Sequence, residues 1–251
     1  MIAVVDQVCM GPPAFRCCAA PAGDDDESGR LDHAVWTNGP GDLFSAAAMI
    51  ASDFSPQPLS RADLPADTVA MARFLVGKTL THDRPEGRSR GRIVETEAYP
   101  VGDPAAHAFI GLTSRNRSLF RERGHCYVYL GYGVSWLANV SSESDGVGAG
   151  VLLRALEPLE GIDLMRRRRG RERLADLASG PGKLCMALDI HRGQDGLDLC
   201  GDSTLWLGEA IRPVGEIGVS VRIGITKAAE APLRFFERGS PHLSGPRRLN
   251  L

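Results

Sequence analysis

From residue 64 onward the chain alternates short strand-like runs with three short helical ones, and nowhere adopts the regular strand-helix-strand rhythm that builds a parallel sheet. That pattern predicts a mixed α+β domain with a largely antiparallel sheet. Asp67 is placed to cap a helix whose apolar face is Val69, Ala72 and Leu75, with Gly77 as its stop. Strands over residues 78–82 and 91–97 flank Arg84-Pro85-Glu86-Gly87, which has the composition of a turn. In the second strand, alternation predicts Ile93, Glu95 and Glu97 on one face and Arg92, Val94 and Thr96 on the other. Residues 98–124 have no clear period and read as a long functional loop with one helical turn.

Residues 126–136 read as a hairpin in which Tyr127 and Tyr129 share a face. Its tip, residues 130–133, holds Tyr132 exposed between two glycines. A strand over 151–156 delivers Arg154 to the face opposite Leu153. Pro158 is expected to open a helix that the four arginines at 166–169 close, on the side its dipole favours. Another helix is expected around 183–188, after Ser179-Gly180-Pro181-Gly182, and short strands at 204–207, 218–225 and 233–236.

The formal charge of −2 speaks against a nucleic-acid partner only if it is evenly spread. Residues 1–70 carry ten acidic and three basic side chains, a net −7, which leaves 71–251 at +5. All but three basic residues of that body are arginine, whose planar fork suits phosphate oxygens. Residues 1–60 mix Gly, Pro, Asp and Ser without apolar periodicity and are expected to form a disordered acidic extension, the folded body being 61–251. A start codon at Met49 is the alternative origin of this segment. No apolar run approaches the roughly 20 residues that span a bilayer. The six cysteines form no CxxC pair and have no nearby His at zinc-ligand spacing, and the N-terminus makes a poor secretory signal, so the expectation is a cytoplasmic protein with reduced thiols.

Four features bear on chemistry: the Glu95/Glu97 pair, His107 in the long loop, the tyrosine hairpin, and Arg154 on a later strand. Each has a plain structural alternative. The carboxylates read as a solvated strand face, His107 as a hydrogen-bonded loop or core residue, and the tyrosines as cross-strand packing partners. Tyr132 resists that alternative better, because an aromatic at a glycine-flanked tip has little core to pack against. Proteins that unstack nucleic acid use such wedges.

Seven strings occur together in one order: Gly91-Arg-Ile-Val-Glu-Thr-Glu-Ala-Tyr99, Ala105-Ala-His107, Ser114-Arg-Asn-Arg117, Tyr127-Val-Tyr129, Leu152-Leu-Arg-Ala-Leu-Glu-Pro-Leu-Glu-Gly161, Ser179-Gly-Pro-Gly-Lys-Leu-Cys185 and Pro232-Leu-Arg-Phe-Phe-Glu-Arg-Gly-Ser-Pro241. Over residues 64–245 the chain thereby closely resembles the alkyladenine (3-methyladenine) DNA glycosylases of the human type. The resemblance implies a monofunctional enzyme of base excision repair. Such an enzyme flips an alkylated or deaminated purine out of duplex DNA, hydrolyses its N-glycosidic bond without metal or other cofactor, and leaves an abasic site.

By the same resemblance, Glu97 is the general base that activates water, Arg154 helps hold that water, and the backbone carbonyl of Ile223 is its third contact. Tyr99, His107 and Tyr129 wall the flipped base, Tyr132 fills the vacated stack, and Asn139 crowds the exocyclic amino group of guanine. Trp136 and Leu137 stand where a Phe and a Cys lie in that pattern, and residues 143–150 form a differently composed loop. Among the lysines only Lys183 falls inside a matched string, which favours water over a Schiff-base nucleophile.

The expectation is therefore a single compact α+β domain with a largely antiparallel curved sheet flanked by helices, a protruding β-hairpin and a disordered N-terminal extension. Its partner would be double-stranded DNA containing damaged purines. It would act as a monomer, away from membranes, and beside the nucleoid if bacterial. Two rivals are a non-catalytic binder of damaged DNA and a carboxylate-dependent hydrolase of free nucleosides.

Overall fold

The computed structural model describes residues 56–131 and 133–250. The expectations for residues 1–55 and for Tyr132 lie outside the described residues. Ahead of the first helix, Pro58 bridges Gly208 and Leu59 is buried in the core. Helix α1 (Thr68–Leu75) starts where Asp67 accepts a hydrogen bond from the Ala70 N–H at 2.7 Å. It buries Thr68, Met71, Ala72 and Leu75, while Val69 is only partly covered. The chain then turns at Gly77, whose φ of +94° suits glycine.

Strands β1 (Thr79–Arg84) and β2 (Gly87–Tyr99) form a hairpin, with Arg84 opposite Gly87. β2 begins earlier than the apolar pattern suggested, because Ser89 and Arg90 pair with His82 and Thr81. A second hairpin joins β3 (Cys126–Gly131) to β4 (Ser135–Ser141), and β5 (Gly150–Glu160), β6 (Leu205–Gly208), β7 (Ile217–Ser220) and β8 (Arg234–Glu237) complete the sheet. The strand order is β3-β4-β5-β2-β1-β6, every pairing is antiparallel, and the sheet is curled. β8 adds to β2 at residues 95–97, beyond the stretch that pairs with β1, and β7 lines the outer edge of β8. The second half of β2 therefore lies between β5 and β8, both of which send arginines toward it.

Four expectations are corrected. Simple alternation fails in β2, because Ile93 pairs with Leu156 and Glu95 with Ala155, leaving Val94 as an extra residue. A bulge of this kind reverses the faces downstream of it. Ile93 belongs to the hydrophobic core and Thr96 donates to the Ala72 carbonyl of α1 at 2.8 Å, whereas Glu95 and Glu97 turn the other way, toward Arg154.

Pro158 does not open a helix. It sits within β5 opposite Gly91, beside a register shift between Arg90 and Gly91, where a residue lacking an N–H is tolerated. Helix α2 (Ile162–Arg169) follows Gly161, which takes φ +70° and packs so closely on the Arg88 backbone that a Cβ there would collide with it. Finally, β7 stops at Ser220, because Arg222 turns inward and Gly224 takes a left-handed conformation. The loop 98–124 contains two 3-10 turns, His107–Ile110 and Arg117–Phe120, where one helical turn was expected. Helix α3 (Pro181–Leu188) opens with a proline in its first turn and packs on β4 and β5. Among the described residues no helix is long and apolar enough to cross a membrane.

Candidate active site

The two carboxylates of β2 are fully buried, which rules out a solvated strand face for them. Both meet Arg154 on the neighbouring strand: its Nε lies 3.0 Å from Glu95 Oε1 and its Nη1 3.2 Å from Glu97 Oε1. Burial of this kind is costly unless each charge is paired and hydrogen-bonded. Glu95 meets that condition completely. Its Oε1 accepts from Arg154 Nε, from Arg234 Nε at 2.6 Å and from Ser244 Oγ at 2.8 Å, while Oε2 accepts from the Ser244 N–H at 2.6 Å.

Glu97 has fewer partners. Oε1 accepts from the Ile223 N–H at 2.7 Å, and Oε2 accepts from the Tyr99 hydroxyl at 3.0 Å. Arg154 Nη1 also reaches the Ile223 carbonyl at 3.4 Å, so Glu97, Arg154 and the Ile223 backbone converge on one point. The surroundings push the two acids apart. Burial raises the pKa of Glu97, and its contacts with Arg154, Ile223 and Tyr99 only partly counter this. For Glu95 burial acts in the same direction, but the guanidiniums of Arg234 and Arg154 outweigh it and hold the pKa below the usual carboxylate value.

Beside this cluster opens a cavity of about 600 Å³ whose lining includes Tyr99, His107, Tyr127, Tyr129 and Asn139. Glu97 meets it through Tyr99, whose ring lines the cavity and whose hydroxyl bonds the carboxylate. His107 and Tyr129 stand edge to face with ring centroids 4.3 Å apart, and Tyr129 stacks on Tyr127 at 5.4 Å. The Tyr127 hydroxyl lies 3.0 Å from His107 Nδ1. Burial and the nearby Arg115 lower the pKa of His107, so its imidazole is mostly neutral at pH 7. Asn139, on β4, donates from Nδ2 to the Tyr127 carbonyl at 3.2 Å.

Tyr99 is braced from behind. The Arg222 guanidinium lies 4.6 Å from its ring centroid, donates to the Ala98 carbonyl at 3.0 Å and pairs with buried Asp103 at 3.2 Å. The rim is apolar where Phe109 and Ile110 stand exposed, and exposed Lys227 is among the lining residues. Among the described residues no group of three or more His, Cys, Asp or Glu side chains is arranged to hold a metal ion.

The residues singled out from the sequence thus fall into two adjoining groups. Glu97, Arg154 and Ile223 form the polar cluster, and Tyr99, His107, Tyr129 and Asn139 line the cavity. Sequence reasoning missed Arg234, Ser244, Arg222, Asp103 and Lys227. For Arg234 the available signal was an arginine just ahead of two phenylalanines in a short strand, a setting that requires a buried counter-charge.

Residues 60–241 match the family model described as methylpurine-DNA glycosylase. The chain is 62% identical over 192 residues to a protein of Mesorhizobium japonicum named "Putative 3-methyladenine DNA glycosylase", covering 76% of this chain and 92% of that one. Proteins of the same name from Paraburkholderia phytofirmans and Methanoculleus marisnigri are 54% and 47% identical. The first match covers 76% of this chain and 90% of the relative, the second 71% and 94%. The class so defined is that of a DNA glycosylase, a hydrolase of N-glycosyl bonds that acts in DNA repair. Within it, the chain belongs to the methylpurine-DNA glycosylase family.

Proposed function

We propose that this chain is a monofunctional purine DNA glycosylase of the human type that removes alkylated or deaminated bases, 3-methyladenine among them, from double-stranded DNA. The observation that carries the reading is the convergence of Glu97, Arg154 and the Ile223 backbone beside a cavity walled by Tyr99, His107 and Tyr129. A damaged purine turned out of the helix stacks on these rings. A base with a formal positive charge gains cation-π attraction of about 0.5–2 kcal/mol there. Mispaired and alkylated bases also cost less to extrude, which adds selectivity.

Hydrolysis breaks the bond between the sugar C1′ and the purine nitrogen. The bonding electrons leave with the base, and the positive charge that builds on the sugar is stabilised by the Glu97 carboxylate. A water held by Glu97, Arg154 and the Ile223 carbonyl adds its oxygen to C1′ and passes its proton to Glu97. Glu97 Oε2 accepts only the Tyr99 hydroxyl in the hydrogen bonds described, which leaves it acceptor capacity for that water. The raised pKa brings the carboxylate closer to the range in which a general base works best. Asn139 at the cavity wall disfavours the amino group of unmodified guanine, and Tyr132 fills the stack that the base has left. The chain divides into an extension over residues 1–60 and a catalytic domain over 61–251, active in the cytoplasm, beside the nucleoid if bacterial, and independent of a cofactor.

The test is base release from duplexes carrying 3-methyladenine, 7-methylguanine, hypoxanthine or ethenoadenine, set against the corresponding free nucleosides. Release from at least one lesion duplex, without release from nucleosides, is expected. Tight lesion binding without release would instead make the protein a damage binder, and nucleoside cleavage would make it a nucleosidase.

A further inference from the structure

The C-terminal segment reaches the polar cluster at Ser244, which touches both Glu95 and Arg154. Ser244 lies past the stretch matched by the family model, which ends at residue 241. Its N–H and hydroxyl both donate to Glu95, and its Oγ accepts from Arg154 Nε and Nη2, each at 3.2 Å. The next residue, Gly245, takes φ +74° and leaves space for the Ile223 side chain: a Cβ there would stand 2.5 Å from Ile223 Cδ1. Arg234 anchors the segment. Fully buried, it donates to Glu95, to the Leu249 carbonyl at 2.8 Å and to Asn250 Oδ1 at 2.6 Å. The same few residues therefore touch Arg154 and Ile223, two of the three groups that converge on Glu97.

We propose that Glu95 and Ser244 are positioning residues: with Arg234 they fasten the C-terminal segment beneath Arg154 and hold its guanidinium in line with Glu97. This inference rests on the glycosylase reading above. Glu95 touches no part of the cavity, and its four accepted hydrogen bonds leave it no role as a base. What it provides is a fixed negative charge between two guanidiniums, without which Arg154 would be free to swing toward Glu97 alone. Misplacing a group that orients a reactant by about 1 Å costs rates on the order of a hundredfold.

The groups facing Glu97 are Arg154 from β5, Glu95 and Tyr99 from β2, and the Ile223 backbone from the loop after β7; Arg234 of β8 stands behind Glu95. Removing the charge of Glu95 takes away a repulsion and releases Arg154 to Glu97, so both effects ease ionisation of Glu97. Single-turnover base release as a function of pH, with lesion-duplex affinity measured in parallel, tests the proposal on the full chain. Ser244→Ala should slow release roughly tenfold to a hundredfold with lesion-duplex affinity unchanged, and Ser244→Thr should restore most of the rate. Glu95→Gln should be slower still and move the acid limb of the profile to lower pH. Partial unfolding would lower the amplitude without moving that limb. If Glu95→Gln does not fold, the serine pair decides alone. Wild-type release by Ser244→Ala, or loss of affinity in step with rate, would overturn the positioning role while leaving the glycosylase reading intact. Wild-type protein that releases no base from any duplex would overturn both.

Discussion

Glu95 and Glu97 stand two residues apart on one face of β2 and share a single guanidinium, that of Arg154, at 3.0 and 3.2 Å. Their surroundings nonetheless set them in opposite directions: two guanidiniums and the N–H and hydroxyl of Ser244 hold Glu95 below the usual carboxylate value, while burial lifts the pKa of Glu97. Because the base must be ionised to accept a proton, release should fall as pH drops through the raised Glu97 pKa. The midpoint of that acid limb should lie above the ordinary glutamate value. Tyr99→Phe, which removes a donor that favours the carboxylate form, should move the midpoint higher still. Single-turnover rates across pH check both; a limb that Tyr99→Phe leaves in place would detach Glu97 from the titration.

The Arg222–Asp103 pair is buried and carries Tyr99 on its guanidinium. Removing one partner of a buried pair leaves an uncompensated charge and costs about 3–5 kcal/mol. Arg222→Met should therefore lower unfolding free energy in urea by that amount and weaken lesion binding through the displaced Tyr99 ring. An unchanged urea midpoint would contradict the prediction.

Tyr132 is argued from its place between Gly131 and Gly133. A wedge acts only where there is a stack to fill, so Tyr132→Ser should weaken binding to a lesion duplex more than to the same lesion in a single strand. Equal losses in competition binding would remove the wedge.

Lys227 is the one lysine among the residues lining the cavity. With water as nucleophile, borohydride added during turnover should trap no protein–DNA adduct, and the abasic strand should remain uncut. A trapped adduct that disappears in Lys227→Ala would require a Schiff-base route.

Much of the architecture was legible because it depends on local signals. Asp67 announced the start of α1, Gly133 the hairpin turn, and the 166–169 arginines the end of α2, although Leu130 and Gly131, expected at the tip, pair within the hairpin with Trp136 and Ser135. The bulge at Val94 was not legible, since nothing in Ile-Val-Glu-Thr-Glu distinguishes a regular strand from one that inserts a residue; the partner strand decides. Pro158 misled for a related reason: a proline followed by Leu-Glu-Gly suits a helix start, but the register shift opposite Gly91 gave it a place in β5. Among candidate site residues, Glu97, His107, Arg154 and the tyrosines of β3 stood out by residue type and place in the chain. Those that act through sequence-distant pairing did not, because Ser244 meets Glu95 across 149 positions and Arg222 meets Asp103 across 119.

The central claim is that Glu97 is the base that activates water. Glu97→Gln keeps the shape of the side chain and removes its basicity, so the variant should bind lesion duplex as the wild type does while releasing base at least roughly a hundredfold more slowly, the scale of general-base catalysis. Release at the wild-type rate from a duplex the variant binds normally would falsify that assignment.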